Sequence, residues 1–83
     1  MEMAEAVMNP VRQRIFQYFL LHETGTYKEI RKALPDIPIA SLYRHIKILA
    51  DSSILMVVGE NRIRGTVESV YQLNEVYVRT LWR

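Results

Sequence analysis

Residues 26–52 read TYKEIRKALPDIPIASLYRHIKILADS, and the punctuation inside this stretch decides the architecture. Its opening, Thr26-Tyr27-Lys28-Glu29, is a capping box: the Thr26 hydroxyl can accept from the Glu29 amide while the Glu29 carboxylate reaches back. A short helix is expected over residues 26–34, with Tyr27, Ile30 and Leu34 at helical spacing and Lys28, Arg31 and Lys32 turned outward. Pro35 ends it. The connection Pro35-Asp36-Ile37-Pro38 is tight and polar, and Pro38 is placed to open a longer helix over residues 38–52. There Ile39, Leu42, Ile46 and Leu49 make the apolar stripe. At about 100° per residue, Ala40, Tyr43, Arg44 and Lys47 fall on the opposite arc, with Ser41 and His45 at its borders.

Upstream, Asn9-Pro10 is a helix start, because Asn caps free backbone N–H groups and Pro costs nothing at the first helical position. A helix over residues 10–22 follows. Val11, Ile15, Phe19 and His22 share a stripe that Phe16 and Leu20 widen, while Gln13, Arg14 and Gln17 face water. The spacing of Met3, Val7 and Met8 suggests a further turn or short helix before it. Downstream the texture changes to strands: Leu55-Met56-Val57-Val58 on one side and residues 67–73 on the other, where Val67, Ser69, Tyr71 and Leu73 alternate. Residues 59–65 between them are expected to form the tip of a β-hairpin that holds Arg62 and Arg64, with Gly65 supplying a backbone angle that other residues resist. The segment from Asn74 onward is compatible with a strand or with helical turns.

Length and composition agree with one small domain. The 83 residues are 49% hydrophobic and 24% charged, without internal repeat or Gly/Ser linker, so residues 1–83 read as one unit with its core over residues 9–74. No cysteine is present, so helix packing or a partner chain must supply the stability that disulfides or a thiolate metal site give other small domains. The acidic start, Met1-Glu2-Met3-Ala4-Glu5, is unlike a secretory signal, and no apolar run is long enough to span a bilayer; a cytoplasmic protein is expected. The net charge of +2 does not by itself announce a nucleic-acid partner. Its distribution is more informative, since residues 9–35 carry five bases against two acids.

Three helices followed by a hairpin is the order of a winged helix-turn-helix, an α+β arrangement that is mainly helical. Residues 9–74 resemble the DNA-binding domain of small bacterial and archaeal winged-helix regulators of the ArsR-like group. The resemblance rests on Asn9-Pro10-Val11-Arg12-Gln13-Arg14-Ile15, Leu34-Pro35-Asp36-Ile37-Pro38, Leu42-Tyr43-Arg44-His45-Ile46-Lys47-Ile48-Leu49 and Arg64-Gly65-Thr66-Val67-Glu68. It covers about four-fifths of the chain. The resemblance makes Tyr43-Arg44-His45-Ile46-Lys47 the recognition helix, with Tyr43 standing where the family often has a small polar residue. Metal-sensing members keep thiolates on or near this helix, and with no cysteine that activity is not supported here; no cofactor is expected.

The chemistry of the residues agrees with that implication. An exposed helix fits the major groove, where Ser41, Tyr43, Arg44 and Lys47 would read bases. Backbone N–H groups at Thr26, Tyr27 and Lys28 would favour a phosphate, and Arg62 and Arg64 on the wing would reach the minor groove or backbone. Each feature also has an ordinary structural explanation. Arg44 and Lys47 taken alone are solubilising charges, Arg62 and Arg64 can guard a sheet edge, and His45, His22, Tyr27 and Tyr71 can be packing residues. An enzyme has little support: there is no Gly-rich phosphate loop and no Cys nucleophile, and Ser41 and His45 lack an orienting carboxylate. The rival reading is a winged-helix protein-interaction module that does not bind DNA. Against it stands the polar and basic arc of residues 38–52, on which Ile48 is the one apolar misfit. Val76, Tyr77, Val78, Leu81 and Trp82 are many large apolar groups for so small a domain, which points to a homodimer formed through the ends of the chain.

Overall fold

The computed structural model describes residues 8–81. The chain opens with Asn9 capping helix α1 (Pro10–Leu21): its side-chain oxygen accepts from the Val11 amide at 2.9 Å and the Arg12 amide at 3.4 Å. The suggested helix within residues 1–8 lies outside the described residues except for Met8, which is exposed. Ile15 and Phe19 form the buried stripe of α1, and Val11 and Phe16 pack partly against the core. Two expectations for this helix are corrected. Leu20 does not widen the stripe but is 52% exposed, because it lies a further 100° round from Phe19, and Arg12 is buried instead. His22 is not on the stripe either: it is the extended C-cap residue, exposed, with its ring stacked on Tyr18 at 4.3 Å.

Gly25 and Thr26 form a two-residue strand, β1, which no local pattern in the sequence announces. A Cβ on Gly25 would stand 2.7 Å from the Tyr18 ring, so only glycine lets the chain pass under α1 this closely. Thr26 then caps α2 (Tyr27–Ala33) through the complete capping box, its hydroxyl accepting from the Glu29 amide at 3.2 Å and its amide donating to the Glu29 carboxylate at 2.9 Å. A turn closed by the Ile37 amide on the Leu34 carbonyl leads to α3 (Ile39–Asp51), with Pro38 at its N-cap. Leu42, Ile46 and Leu49 are buried as the stripe requires. Ile39 is not: it is 59% exposed, since it sits in the first turn, and Ile37 fills the core at that end.

The C-terminus of α3 is a Schellman arrangement, with the Ile54 amide on the Leu49 carbonyl and the Ser53 amide on the Ala50 carbonyl. It requires the left-handed conformation at Ser53, φ 63°. The chain then enters β2 (Leu55–Ile63), returns as β3 (Thr66–Leu73) and ends in α4 (Glu75–Leu81). The sheet is antiparallel in the order β1-β3-β2, with Leu55 opposite Leu73 and Ile63 opposite Thr66. A bulge leaves Val58 as an extra residue between the pairs Val57/Tyr71 and Gly59/Val70.

The hairpin therefore departs from expectation in one respect: residues 59–63 are strand, and the turn is only Arg64-Gly65, both with positive φ (49° and 80°) as a tight primed turn demands. Arg64 is at the tip. Arg62 is not, since it lies in β2 opposite Val67. Asn74 resolves the ambiguity of the C-terminal segment in favour of a helix: its side-chain oxygen accepts from the Val76 amide, while its amide nitrogens hold the Ser53 and Ile54 carbonyls. Of the apolar residues placed there, Tyr77 is buried and edge-on to Phe16 at 6.2 Å, whereas Val76 is 67% exposed. Trp82 lies outside the described residues.

Candidate nucleic-acid interface

The second and third helices meet through a small set of polar links that follow from their capping and from the shortness of the turn. The Tyr27 hydroxyl donates to the Ile39 carbonyl at 3.0 Å, joining the first turn of α2 to the first turn of α3. The rings of Tyr27 and Tyr43 lie 5.5 Å apart at 35°, and the Arg31 guanidinium sits 5.9 Å from the centre of the Tyr27 ring. From the other side, Arg14 of α1 grips Asp36 in the turn with two bonds, at 2.6 and 3.0 Å. That contact, chiefly the hydrogen bond itself, holds the Asp36 carboxyl below its ordinary range and raises Arg14. The helix-turn-helix is thus fastened at its turn and at its open end.

A third link fixes α3 against α1. Arg12 and His45 are both buried, and the Arg12 Nη1 stands 3.0 Å from the His45 Nδ1. A guanidinium has no acceptor, so it donates and Nδ1 must be unprotonated; the imidazole is neutral, with its proton on Nε2. Burial first, then the charges of Arg12 and Arg44, lower the His45 pKa. His45 is therefore a packing and anchoring residue, as the border position of its ring suggests. The burial of its partner Arg12 is not legible in the sequence, because a charged residue beside the α1 stripe carries no sign of it.

With α3 held in this way, its outer arc presents Tyr43, 58% exposed, together with exposed Arg44 and Lys47. Ser41 is half-buried at the border, and Ile48, also half-buried, is partly removed from solvent and so no longer stands out on the arc. Between α2, α3 and the wing runs an open cleft of about 520 Å3, bounded by Tyr27, Lys28, Arg31 and Tyr43 on one side and by Thr66 and Tyr71 among the wing residues on the other. Lys47 borders a smaller crevice of about 220 Å3 that continues between α3 and β2 and again touches Tyr27, Tyr43 and Tyr71.

The structure thus gathers Tyr27, Lys28 and Tyr43 around the larger cleft, with Arg31 as an added cation that spacing alone marks only as outward-facing, and Lys47 borders the smaller crevice, which shares Tyr27, Tyr43 and Tyr71 with it. Arg44 is exposed on the same helix as Tyr43 and Lys47. Arg62 and Arg64 are exposed on the wing, on either side of Ile63, which lines the cleft. Thr26 does not present a free anion-binding group: it is buried, and both its amide and its hydroxyl are consumed by the capping box. Tyr27 is half-buried, with its hydroxyl on Ile39.

A helix-turn-helix domain family matches residues 7–58, which takes in α1, the helix-turn-helix pair and the start of the wing. The chain belongs to this helix-turn-helix domain family. It is a DNA-binding family and not an enzyme family, and its double-stranded DNA partner agrees with a basic, polar outer arc on the second helix of the motif. The matched residues stop at Val58, so the distal wing lies outside the match. No curated protein matches the chain. Among the described residues, no helix is long and apolar enough to cross a membrane.

Proposed function

We propose that this helix-turn-helix protein is a sequence-specific transcriptional regulator of the ArsR-like winged-helix type. In this reading α3 lies in the major groove, where Ser41, Tyr43, Arg44 and Lys47 read base edges, and the wing carries Arg62 and Arg64 to the minor groove or backbone. Lys28, exposed beside the cleft at the start of α2, contacts a phosphate; Thr26 and Tyr27 support it from behind. The observation that carries the reading is the outer arc of α3, where an exposed tyrosine and two exposed cations occupy a helix locked by its turn, by Tyr27 and by Arg12.

The residues that flank the motif, 1–8 and 75–83, are proposed to join two copies, so that two recognition helices meet successive turns of the duplex. The reading is tested by passing the purified chain over a randomised duplex library and measuring the selected duplex at several salt concentrations. Enrichment of one motif, with affinity that falls steeply as salt rises, supports it. Absence of salt-dependent duplex binding even near 50 mM salt, where phosphate contacts are strong, makes a protein-interaction domain the better description.

A further inference from the structure

We infer that Tyr27 is a positioning residue for base reading, acting through Tyr43 and not by touching DNA itself; this rests on the DNA-binding reading above. The hydroxyl of Tyr27 donates at 3.0 Å to the carbonyl of Ile39, four residues before Tyr43. In a regular helix that carbonyl also accepts the amide of the residue four positions on, so the peptide group pinned by Tyr27 is the one to which the Tyr43 backbone is tied. The Tyr27 ring then meets the Tyr43 ring at 5.5 Å, and Arg31 stands 5.9 Å from the Tyr27 ring centre, within reach of a cation–π contact.

One residue of α2 thereby holds both the main chain and the side chain of the most prominent aromatic group on the outer arc of α3. Tyr43 is 58% exposed and cannot be aimed by the core. The core residues nearest in sequence, Leu42 and Ile46, set the rotation of the helix but leave the Tyr43 ring free to swing. The ladder Arg31–Tyr27–Tyr43 limits that swing and gives the ring one direction over the cleft shared with the wing. A ring held in one direction discriminates between base edges; a ring free to move contacts every duplex alike.

The test compares wild type with Tyr27→Phe, Tyr43→Ala and the double variant on the selected duplex and on a scrambled duplex of the same composition, with thermal unfolding of each protein. Tyr27→Phe keeps the ring and removes only the hydroxyl. It is expected to bind the selected duplex about 3- to 10-fold more weakly and to leave scrambled binding unchanged, while the unfolding midpoint falls only by the few degrees that one exposed hydrogen bond contributes. In the Tyr43→Ala background the same change should have no further effect on the selected duplex, because the group it aims is gone. An unchanged ratio of selected to scrambled binding in Tyr27→Phe overturns the inference. So does an equal loss on both duplexes, which is a structural effect, or full additivity in the double variant. If wild type itself does not distinguish the duplexes, the DNA-reading proposal falls first, and that failure is visible without any variant.

Discussion

At the scale of single residues, the proposed mode of DNA binding gives the outer arc of α3 and the wing separable contributions. Arg44 is exposed on the helix assigned to the major groove, so Arg44→Ala should cost about 1–3 kcal/mol on the preferred duplex and narrow the gap to scrambled DNA. Arg64, at the tip of the hairpin, should behave as a positioning cation. Arg64→Ala should weaken all duplexes by a similar factor and reduce the salt slope by about one for a lost phosphate contact. Binding isotherms on both duplexes over a salt series separate the two outcomes, and a specificity loss at Arg64 equal to that at Arg44 would contradict the assignment.

The buried pair Arg12–His45 gives a different, pH-dependent prediction. The folded-state pKa of His45 is lowered, so the unfolded chain takes up this proton first as pH falls. The stabilising contribution is present above the unfolded histidine value of about 6.5 and is lost as pH drops from there toward the lower folded value. Urea midpoints should decline in this window, and His45→Gln, which cannot titrate, should flatten the decline. A wild-type midpoint constant from about pH 7.5 to about pH 5 would show that the pair does not control stability.

At the scale of elements, what the sequence reveals depends on whether the signal is local. The capping box at Thr26, the Asn9-Pro10 start and the stripe Leu42, Ile46, Leu49 are contained within a few residues of one helix, and all appear where their spacing puts them. Pairing partners are not local. Residues 59–63 look like a loop because they include Gly59 and Asn61, yet they become strand when Arg64-Gly65 turns the chain in two residues and β3 offers a matching edge. The strand at Gly25–Thr26 is invisible for the same reason, since its existence depends on Tyr71 and Val70, more than forty residues later. In the candidate interface the exposed cations are legible from the arc of α3. The Tyr27 bond to Ile39 and the Arg12 bond to His45 are not, because each joins two helices whose angle no spacing within either helix encodes.

The same scale supplies a stability prediction at the end of α3. Ser53 holds the left-handed position of the Schellman turn, where a side chain is disfavoured and glycine is the usual occupant. Ser53→Gly should raise the unfolding free energy by about 1 kcal/mol, less the entropy that glycine adds to the unfolded chain. In contrast, Leu42→Ala or Ile46→Ala should cost about 2–5 kcal/mol, since both side chains are buried in the core. Denaturant titrations of the three variants check both directions at once.

At the scale of the whole molecule, the apolar C-terminal residues divide between the core of one copy and any contact with a second. Tyr77 belongs to the core: its ring is buried against Phe16, and among the described residues its hydroxyl has no hydrogen-bond partner. A buried hydroxyl without a partner costs stability, so Tyr77→Phe should be neutral or stabilise the fold by about 1 kcal/mol. Deleting residues 76–83 would therefore confuse loss of the core with loss of association. Val76 offers a cleaner probe, being 67% exposed on α4 beside the buried Tyr77. If the flanking segments join two copies, Val76→Glu should leave thermal unfolding of the monomer intact and shift sedimentation toward the monomer. Binding to a two-half-site duplex should then fall to that of a single half-site, because the second contact no longer benefits from a tethered partner. A wild-type chain that sediments as a monomer at high concentration would remove the dimer, and the reading of DNA by α3 would then have to be sustained by one copy alone.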